Sequence, residues 1–302
     1  MRAEAGAAFT VAPERVASRA GMALVFTSAV VWSFGGAIAR FIEAPDPWTI
    51  VFWRSAWAAA FLLGFLFLRD GFAGGLRLIG AMRLPALGVA ACFATASTSF
   101  VVALGHTTVA NILFFQAGVP LMAALIGRVT LGERIAPATA LAIAAVGAGI
   151  LVMVSDSLSG GASLLGGALS LLIALCFALA TIITRAHAGI RMVPAVWIGT
   201  LVAGAISAPL AGGFAALADM ALLVLFGAFN LGLGLALFVS GVRLIPAAIA
   251  ALIGTAEPVL GPVWVWLTRG EVPAARTLTG GAIVIAALLA HLFWQIRATR
   301  RS

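Results

Sequence analysis

The chain has 302 residues, of which 63% are hydrophobic and only 9% are charged, and its mean hydropathy is +1.16. So few charges could not cover the surface of a folded soluble protein, which excludes an ordinary soluble enzyme as well as a disordered chain. All 18 basic residues are arginines that lie singly between apolar runs, so the net charge of +8 does not indicate binding to nucleic acid. We therefore predict an integral membrane protein whose main partner is the lipid bilayer.

Ten apolar runs follow a polar N-terminal tail at residues 1–21, and clusters of Gly, Pro, Ser or Arg separate them. Each run approaches the roughly 20 residues that a helix needs to cross a bilayer. We predict an all-α protein, because lipid offers backbone groups no partner and the alternating pattern of a membrane β-barrel is missing. The predicted spans are 22–41, 48–68, 84–104, 107–127, 136–154, 164–184, 194–212, 219–240, 246–267 and 274–295, followed by a tail at 296–302.

The distribution of arginines predicts the orientation of the spans. Ten spans place both termini on the same side of the membrane. If the N-terminus is cytoplasmic, only Arg40, Arg54, Arg269 and Arg276 lie toward the outer side, and the other 14 of the 18 lie inside. An excess of basic residues marks the cytoplasmic side. The sequence therefore predicts a multi-pass protein with both termini in the cytoplasm.

Two segments of the chain resemble each other at an offset of 138 residues. Pro120 matches Pro258, and the Gly-Glu pair at 132–133 matches the pair at 270–271. The repeat predicts two five-span halves, 22–154 and 164–295, joined by a linker at 155–163. Because five is odd, the halves enter the membrane in opposite orientations, which is common in secondary transporters that bind substrate near the midplane.

Glu257 is the one acidic residue that lies deep within a predicted span, where a charge is costly. Ala250, Gly254 and Gly261 lie at helical spacing from it, so its face of the helix carries small residues and is predicted to point away from lipid. Two interpretations stay open. The carboxylate binds a substrate ammonium group or a proton, or it is a structural group that is hydrogen-bonded near Pro258.

Three prolines are predicted hinges within the fourth and ninth spans. Each lacks an N–H, so Pro120, Pro258 and Pro262 free the carbonyls of Gln116, Gly254 and Pro258 from their usual helix partners. Free carbonyls facing a cavity could coordinate a cation or an ammonium group. Alternatively, each break is a kink whose polar groups a neighbouring side chain or water satisfies.

Several other residues within the spans are candidates for substrate contact. Polar side chains inside a membrane protein face its interior, where amides more often join helices than bind ligands. A mid-span tryptophan either packs or stacks on a substrate. The further substrate-binding candidates are Trp32, Ser33, Cys92, Thr95, Ser99, Asn111, Gln116 and Asn230.

Other conspicuous side chains have simpler interpretations. Arg54 could meet a substrate carboxylate, but it could also extend to lipid headgroups or pair with Glu43 or Asp46. Trp264 lies near the outer end of the ninth span and is typical of the interfacial aromatic belt. The histidines at 106, 187 and 291 fit no metal-ligand spacing, so we predict no metal and no cofactor.

The order of the motifs resembles the drug/metabolite transporter superfamily, and within it the EamA-type permeases. The resemblance rests on Val31-Trp32-Ser33-Phe34-Gly35, on Glu257-Pro258-Val259, and on the duplicated Gly-Glu pairs. Among the members of this family, the chain is similar to the bacterial aromatic amino-acid exporters of the YddG kind. The resemblance implies ten transmembrane helices, arranged as two inverted five-helix repeats around a central cavity, and efflux of metabolites across a bacterial-type inner membrane.

We therefore predict a secondary transporter that exports small amphipathic metabolites, with aromatic or neutral amino acids as the first candidates. Alternating access is the predicted mechanism, and proton coupling through Glu257 is possible. The alternatives are an exporter or importer of another metabolite or a cationic drug, a channel, and a membrane scaffold. An enzyme is not expected, because the sequence has no metalloprotease motif, no paired intramembrane aspartates and no nucleophile–base pair.

Overall fold

The structure is a computed structural model, and it describes residues 18–39, 41–43, 46–104, 106, 112, 115–116, 118–132, 135–154, 164–213, 215–270 and 275–299. Every regular element in these ranges is a helix. The first six α-helices are α1 (Arg19–Ser33), α2 (Gly35–Ala39), α3 (Pro47–Gly80), α4 (Leu84–Leu104), α5 (Val119–Leu131) and α6 (Pro137–Val154). The remaining seven are α7 (Leu164–Ala186), α8 (Val193–Ser207), α9 (Leu217–Val224), α10 (Gly234–Val242), α11 (Ala247–Gly254), α12 (Ala256–Arg269) and α13 (Ala275–Thr299).

The described part of the chain contains six helical segments that are long and apolar enough to cross a membrane, and four shorter apolar helices. The prediction of an all-helical membrane protein is confirmed. The six long segments are Arg19–Ala39, Pro47–Gly80, Leu164–Ala186, Val193–Leu210, Asp219–Val242 and Ile249–Thr268.

Helix α3 is longer than the predicted span at 48–68. Asp46 caps its N-terminus by accepting a 2.8 Å hydrogen bond from the Thr49 backbone N–H. Its other end continues past Arg69 to Gly80, through a kink at Gly71, where φ is +71°. Gly71 has a non-helical backbone, so a first helix ends close to the predicted end of the span and a second helical stretch follows it to Gly80.

The first and ninth predicted spans are interrupted rather than continuous. The first is divided at Phe34 into α1 and α2, and the ninth is divided at Thr255 into α11 and α12. Pro258 lies in the first turn of α12, and Pro120 lies in the first turn of α5. A proline is tolerated there because the first N–H groups of a helix have no partner within it. The two prolines therefore mark helix starts, not kinks inside continuous helices.

The eighth predicted span contains a π-helical segment at Leu225–Leu233, between α9 and α10. Such wide turns are rare and occur frequently at functional sites. Phe226, Gly227 and Asn230 belong to this segment and are buried. The segment therefore indicates that the eighth span contributes to a functional site.

Helices α5 and α12 end in the same way. The next residue, Gly132 or Gly270, adopts a left-handed conformation with φ of +64° or +70°. Glycine is the residue that adopts this conformation without strain, which explains the glycine of each repeated Gly-Glu pair. The glutamates of those pairs lie outside the described residues.

The packing of the helices follows a reciprocal pattern. Helix α3 packs on α8, α5 on α11, and α6 on α13, so the second, fourth and fifth spans of one half contact their counterparts in the other. The remaining pairs also match, because α4 contacts α7 and α1 contacts α10. Among the described residues, the largest buried cluster connects α1, α3, α4, α8 and α10 through residues that include Val25, Leu62, Val89, Val196 and Val239.

Candidate functional site

The interruption between α1 and α2 faces α12. The Ser33 hydroxyl donates to the Val30 carbonyl at 2.6 Å and accepts a 2.8 Å hydrogen bond from the indole N–H of Trp264. Phe34 stacks on Trp264, with ring centroids 4.4 Å apart and an interplanar angle of 19°. Trp264 is therefore an interior contact of the first span, not only a residue of the interfacial belt.

Glu257 lies on the face of α12 that points toward this interruption. Gly261 and Trp264 follow it by four and seven residues, which puts all three on one side of the helix. Gly261 approaches Ser33 so closely that an added Cβ would lie 3.7 Å from the Ser33 carbonyl oxygen. Glu257 is partly buried, and it occupies the first turn of α12, where the helix dipole favours a negative charge.

Arg54 reaches the same region from α3. Its guanidinium carbon lies 4.6 Å from the centroid of the Phe226 ring in the π-helical segment. The Arg54 Nε atom is buried and has no hydrogen-bond partner among the described residues. Arg54 interacts electrostatically with Glu257, although no ion pair joins these two described side chains. The site thus holds one guanidinium and one carboxyl group that are not joined by a direct ion pair.

The structure does not join Arg54 to Asp46, and the extension of Arg54 to lipid headgroups stays a prediction. Asp46, one of its two predicted acidic partners, instead accepts hydrogen bonds from Thr49 and from the Gly212 backbone N–H at 2.9 Å. Arg54 lies about two turns inside α3, which begins at Pro47, and there it contacts Phe226.

Asn230 joins the π-helical segment to the first span. Its side-chain NH₂ donates to the carbonyls of Val31 at 2.6 Å and Trp32 at 3.1 Å, near the end of α1. An added Cβ on Gly35 would lie 3.1 Å from the Asn230 carbonyl oxygen. The side-chain amide of Asn230 therefore stabilises the interruption between α1 and α2, and its oxygen lies beside Gly35 at the start of α2.

Trp32 is part of an aromatic cluster in the core. Its ring centroid lies 6.2 Å from that of Phe177 and 5.3 Å from that of Phe238, and Phe93 contacts both phenylalanines. Its indole N–H is buried and finds no acceptor in the described part of the chain. The close approach of Gly234 to the indole accounts for the packing of this ring.

The candidates on α4 divide between two surfaces. Cys92 packs on the cluster that contains Cys176 of α7, and Ser99 is buried. Thr95 is exposed, and it belongs to an exposed stripe at helical spacing with Leu84, Leu87 and Ala91. Thr95 thus lies apart from the faces of α4 that pack on α7 and α8, and its contact with substrate stays a prediction.

The other candidates are described less completely. Gln116 is partly buried, and its neighbour Phe115 approaches Gly167 at the start of α7. Asn111 lies outside the described residues. An added Cβ on Gly254 would meet no atom within 4 Å, so open space borders the end of α11. Pro262 lies within α12.

The structure brings together part of the predicted site and adds residues that sequence reasoning missed. Phe34, Phe226 and Trp264 were not predicted to line it. The seven-residue spacing from Glu257 is the one sequence signal that could have indicated Trp264. The assembled set, here called the central site, consists of Ser33, Phe34, Arg54, Phe226, Asn230, Glu257 and Trp264.

Comparisons with known proteins agree with this architecture. The sequence profile of the EamA-like transporter family matches the chain twice, at residues 19–155 and 164–293. A solved structure titled "Crystal structure of protein" has a TM-score of 0.78 with this chain at 16% sequence identity, and the match covers 92% of this chain and 98% of that chain. At this identity the likeness shows the fold alone. No protein of curated function matches the sequence.

Proposed function

Because the chain belongs to the EamA-like transporter family of the drug/metabolite transporter superfamily, we propose that it is a secondary transporter that exports aromatic or neutral amino acids. The observation that carries the proposal is the pair of opposite charges, Arg54 and Glu257, beside aromatic rings in the central site. The proposal includes alternating access across a bacterial-type inner membrane.

The two charges match the two ends of an amino-acid zwitterion. The Arg54 guanidinium is the natural partner of the substrate carboxylate, since its Nε donor is buried and free among the described residues. Glu257 is then the partner of the substrate ammonium group. A zwitterion would neutralise both side chains at once, whereas a substrate with one charge would leave one of them uncompensated.

The aromatic residues suit an apolar substrate side chain. The stacked pair of Phe34 and Trp264 and the ring of Phe226 lie near the two charges, on three different elements. Aromatic rings favour offset or edge contacts with another ring. This surface is better suited to an aromatic or aliphatic side chain than to a sugar or a phosphate.

The reciprocal packing supports the proposed architecture of ten spans in two inverted halves, 22–154 and 164–295. In such a carrier, motion of one half against the other exposes the site to each side in turn. The repeat-equivalent helix starts at Pro120 and Pro258 are the proposed hinges, together with Pro262. We keep the linker at 155–163 and the cytoplasmic tails, 1–21 and 296–302, as part of this proposal.

Competition in proteoliposomes tests the zwitterion directly. The measurement is uptake of labelled phenylalanine in the presence of 2-phenylethylamine, which lacks the carboxylate, or 3-phenylpropionate, which lacks the ammonium group. We expect each analogue to compete at least about tenfold less well than phenylalanine, because a hydrogen bond to a charged group contributes roughly 1.5–3 kcal/mol. Equal competition by 2-phenylethylamine would instead favour a cationic substrate and would contradict the role of Arg54.

A variant experiment tests Glu257, with Glu43→Gln in an exposed loop as the matched control. We expect Glu257→Gln to insert and fold, but to lose most phenylalanine flux, while Glu43→Gln behaves as the wild type. An imposed pH gradient separates proton coupling from substrate binding. Flux that follows the gradient in the wild type but not in Glu257→Gln would support an antiporter; unaltered flux in Glu257→Gln at every pH would rule out a role for the charge.

A further inference from the structure

A basic cleft lies at the opposite end of the bundle from the Ser33–Trp264 contact. It lies where the end of the membrane-spanning part of α3, the start of α8 and the end of α10 meet. Its charged residues are Arg69, Asp70, Arg191 and Arg243, and its floor is apolar. By the distribution of arginines, this end of the bundle is the cytoplasmic side.

The cleft carries an excess of positive charge. Three arginines and one aspartate give it a net charge of +2, and the single carboxylate, Asp70, already pairs with Arg191. Arg69 has no acidic partner among the described residues, and its guanidinium carbon lies 6.0 Å from the centroid of the Phe65 ring. Two positive charges therefore remain without a counterion from the described part of the chain.

The backbone holds the arginines close together. The Arg243 Nε atom donates to the Ala188 carbonyl at 2.6 Å, which fixes its guanidinium beside the turn that carries Arg191. Burial lowers the pKa of Arg243, and the positive charges of Arg191 and Arg69 lower it further. Like charges repel when they are held this close, so an anion in the cleft would stabilise the arrangement.

Exposed apolar side chains lie close in the chain to the arginine and the aspartate that α3 contributes to the cleft. Leu68 is 91% exposed and directly precedes Arg69, and Phe72 is 68% exposed and follows Asp70 after Gly71. In a membrane protein such side chains contact acyl chains. The surface thus presents a binding place for an anionic group directly beside a binding place for hydrocarbon.

We propose that this cleft binds the phosphate group of an acidic phospholipid, whose acyl chains lie along Leu68 and Phe72. Arginine binds phosphate well because its planar fork donates two parallel hydrogen bonds. Basic pockets between transmembrane helices on the cytoplasmic side are typical sites for anionic headgroups. The proposal does not depend on which substrate the central site transports.

The test compares phosphatidylglycerol with phosphatidylcholine of the same acyl chains, in titrations of the purified full-length protein followed by native mass spectrometry. We expect phosphatidylglycerol to bind more tightly, and each of Arg69→Gln and Arg191→Gln to weaken it about fivefold, since one arginine near an anionic membrane contributes roughly 1 kcal/mol. Arg128→Gln, an exposed arginine at the end of α5, is the matched control and should bind as the wild type. Equal affinity for the two lipids, or an equal loss in Arg128→Gln, would overturn the proposal.

A second variant tests whether misfolding explains a loss of lipid binding in the arginine variants. Asp70→Asn removes the one carboxylate and releases Arg191, so we expect it to bind phosphatidylglycerol more tightly than the wild type, which a damaged protein would not do. Weaker binding by Asp70→Asn would contradict the proposal.

The last measurement is competition between inorganic phosphate and phosphatidylglycerol for the cleft. Displacement of phosphatidylglycerol by inorganic phosphate at equal concentration would assign the cleft to a soluble phosphate and overturn the lipid assignment.

Discussion

Gly234 lies directly against the indole of Trp32, and no side chain at position 234 would fit between the two backbone and ring surfaces. An added Cβ would overlap the Trp32 Nε1 atom, and the rigid indole is held by Phe177 and Phe238. The position therefore links the first span to the eighth through a steric requirement as well as through the hydrogen bonds of Asn230.

We expect Gly234→Ala to lower the free energy of unfolding by about 1–3 kcal/mol, the usual cost of overpacking a well-packed core. Gly147→Ala is the control, because an added Cβ at that helical position meets no atom within 4 Å. The measurement is thermal unfolding of both variants in the same detergent. A melting temperature for Gly234→Ala at or above that of Gly147→Ala would show that the indole can move aside.

The sequence predicts a residue of the central site when the polarity of its side chain conflicts with the apolar span around it. Glu257 stands out because a carboxylate is costly among apolar residues. Arg54 does not, since an arginine near the end of a span has an ordinary place among lipid headgroups. Its contact with Phe226 depends on how α3 packs against the π-helical segment, and the periodicity of one helix contains no information about its neighbour.

At the scale of elements, the interrupted helices are the main feature that the hydropathy pattern conceals. Prolines indicate the starts of α5 and α12, so those two interruptions have a local cause. The interruption at Phe34 also has a local marker, because the Gly35-Gly36 pair follows it, but the amide that donates to the nearby carbonyls belongs to Asn230, about 200 residues away in the chain. The π-helical segment has no such marker in its sequence.

We expect Pro120→Ala and Pro258→Ala to slow transport more than they weaken substrate binding. Alanine restores the N–H that proline lacks and favours a continuous helix, which would stiffen the junction between the two pieces of each span. The measurement is the maximal flux and the half-saturating concentration of phenylalanine for each variant. A rise in the half-saturating concentration with unchanged maximal flux would mean that these junctions shape the site and do not act as hinges.

For the whole molecule, the all-helical membrane class follows from composition and was predictable, and so was the family, from short motifs in a fixed order.

The orientation of the chain in the membrane remains a prediction. In a variant without native cysteines, we expect Glu43→Cys to react with a membrane-impermeant maleimide in intact cells. Arg83→Cys should react only after the membrane is permeabilised. Both positions are exposed in loops between helices. The reverse pattern would invert the topology and move the basic cleft to the outer face.

The reciprocal packing relates the backbones of the two halves, but it does not relate their charges. At the offset of 138 residues, the counterpart of Glu257 is Val119, so one half carries an acid where the other carries a hydrocarbon side chain. Identical halves would make the inward-open and outward-open forms equal in energy in a symmetric bilayer. With a single acid, the two forms place that carboxylate in different surroundings. Under the proposed alternating access, we expect the empty transporter to rest more in one form than in the other, so that its cycle has a preferred starting point even without a gradient.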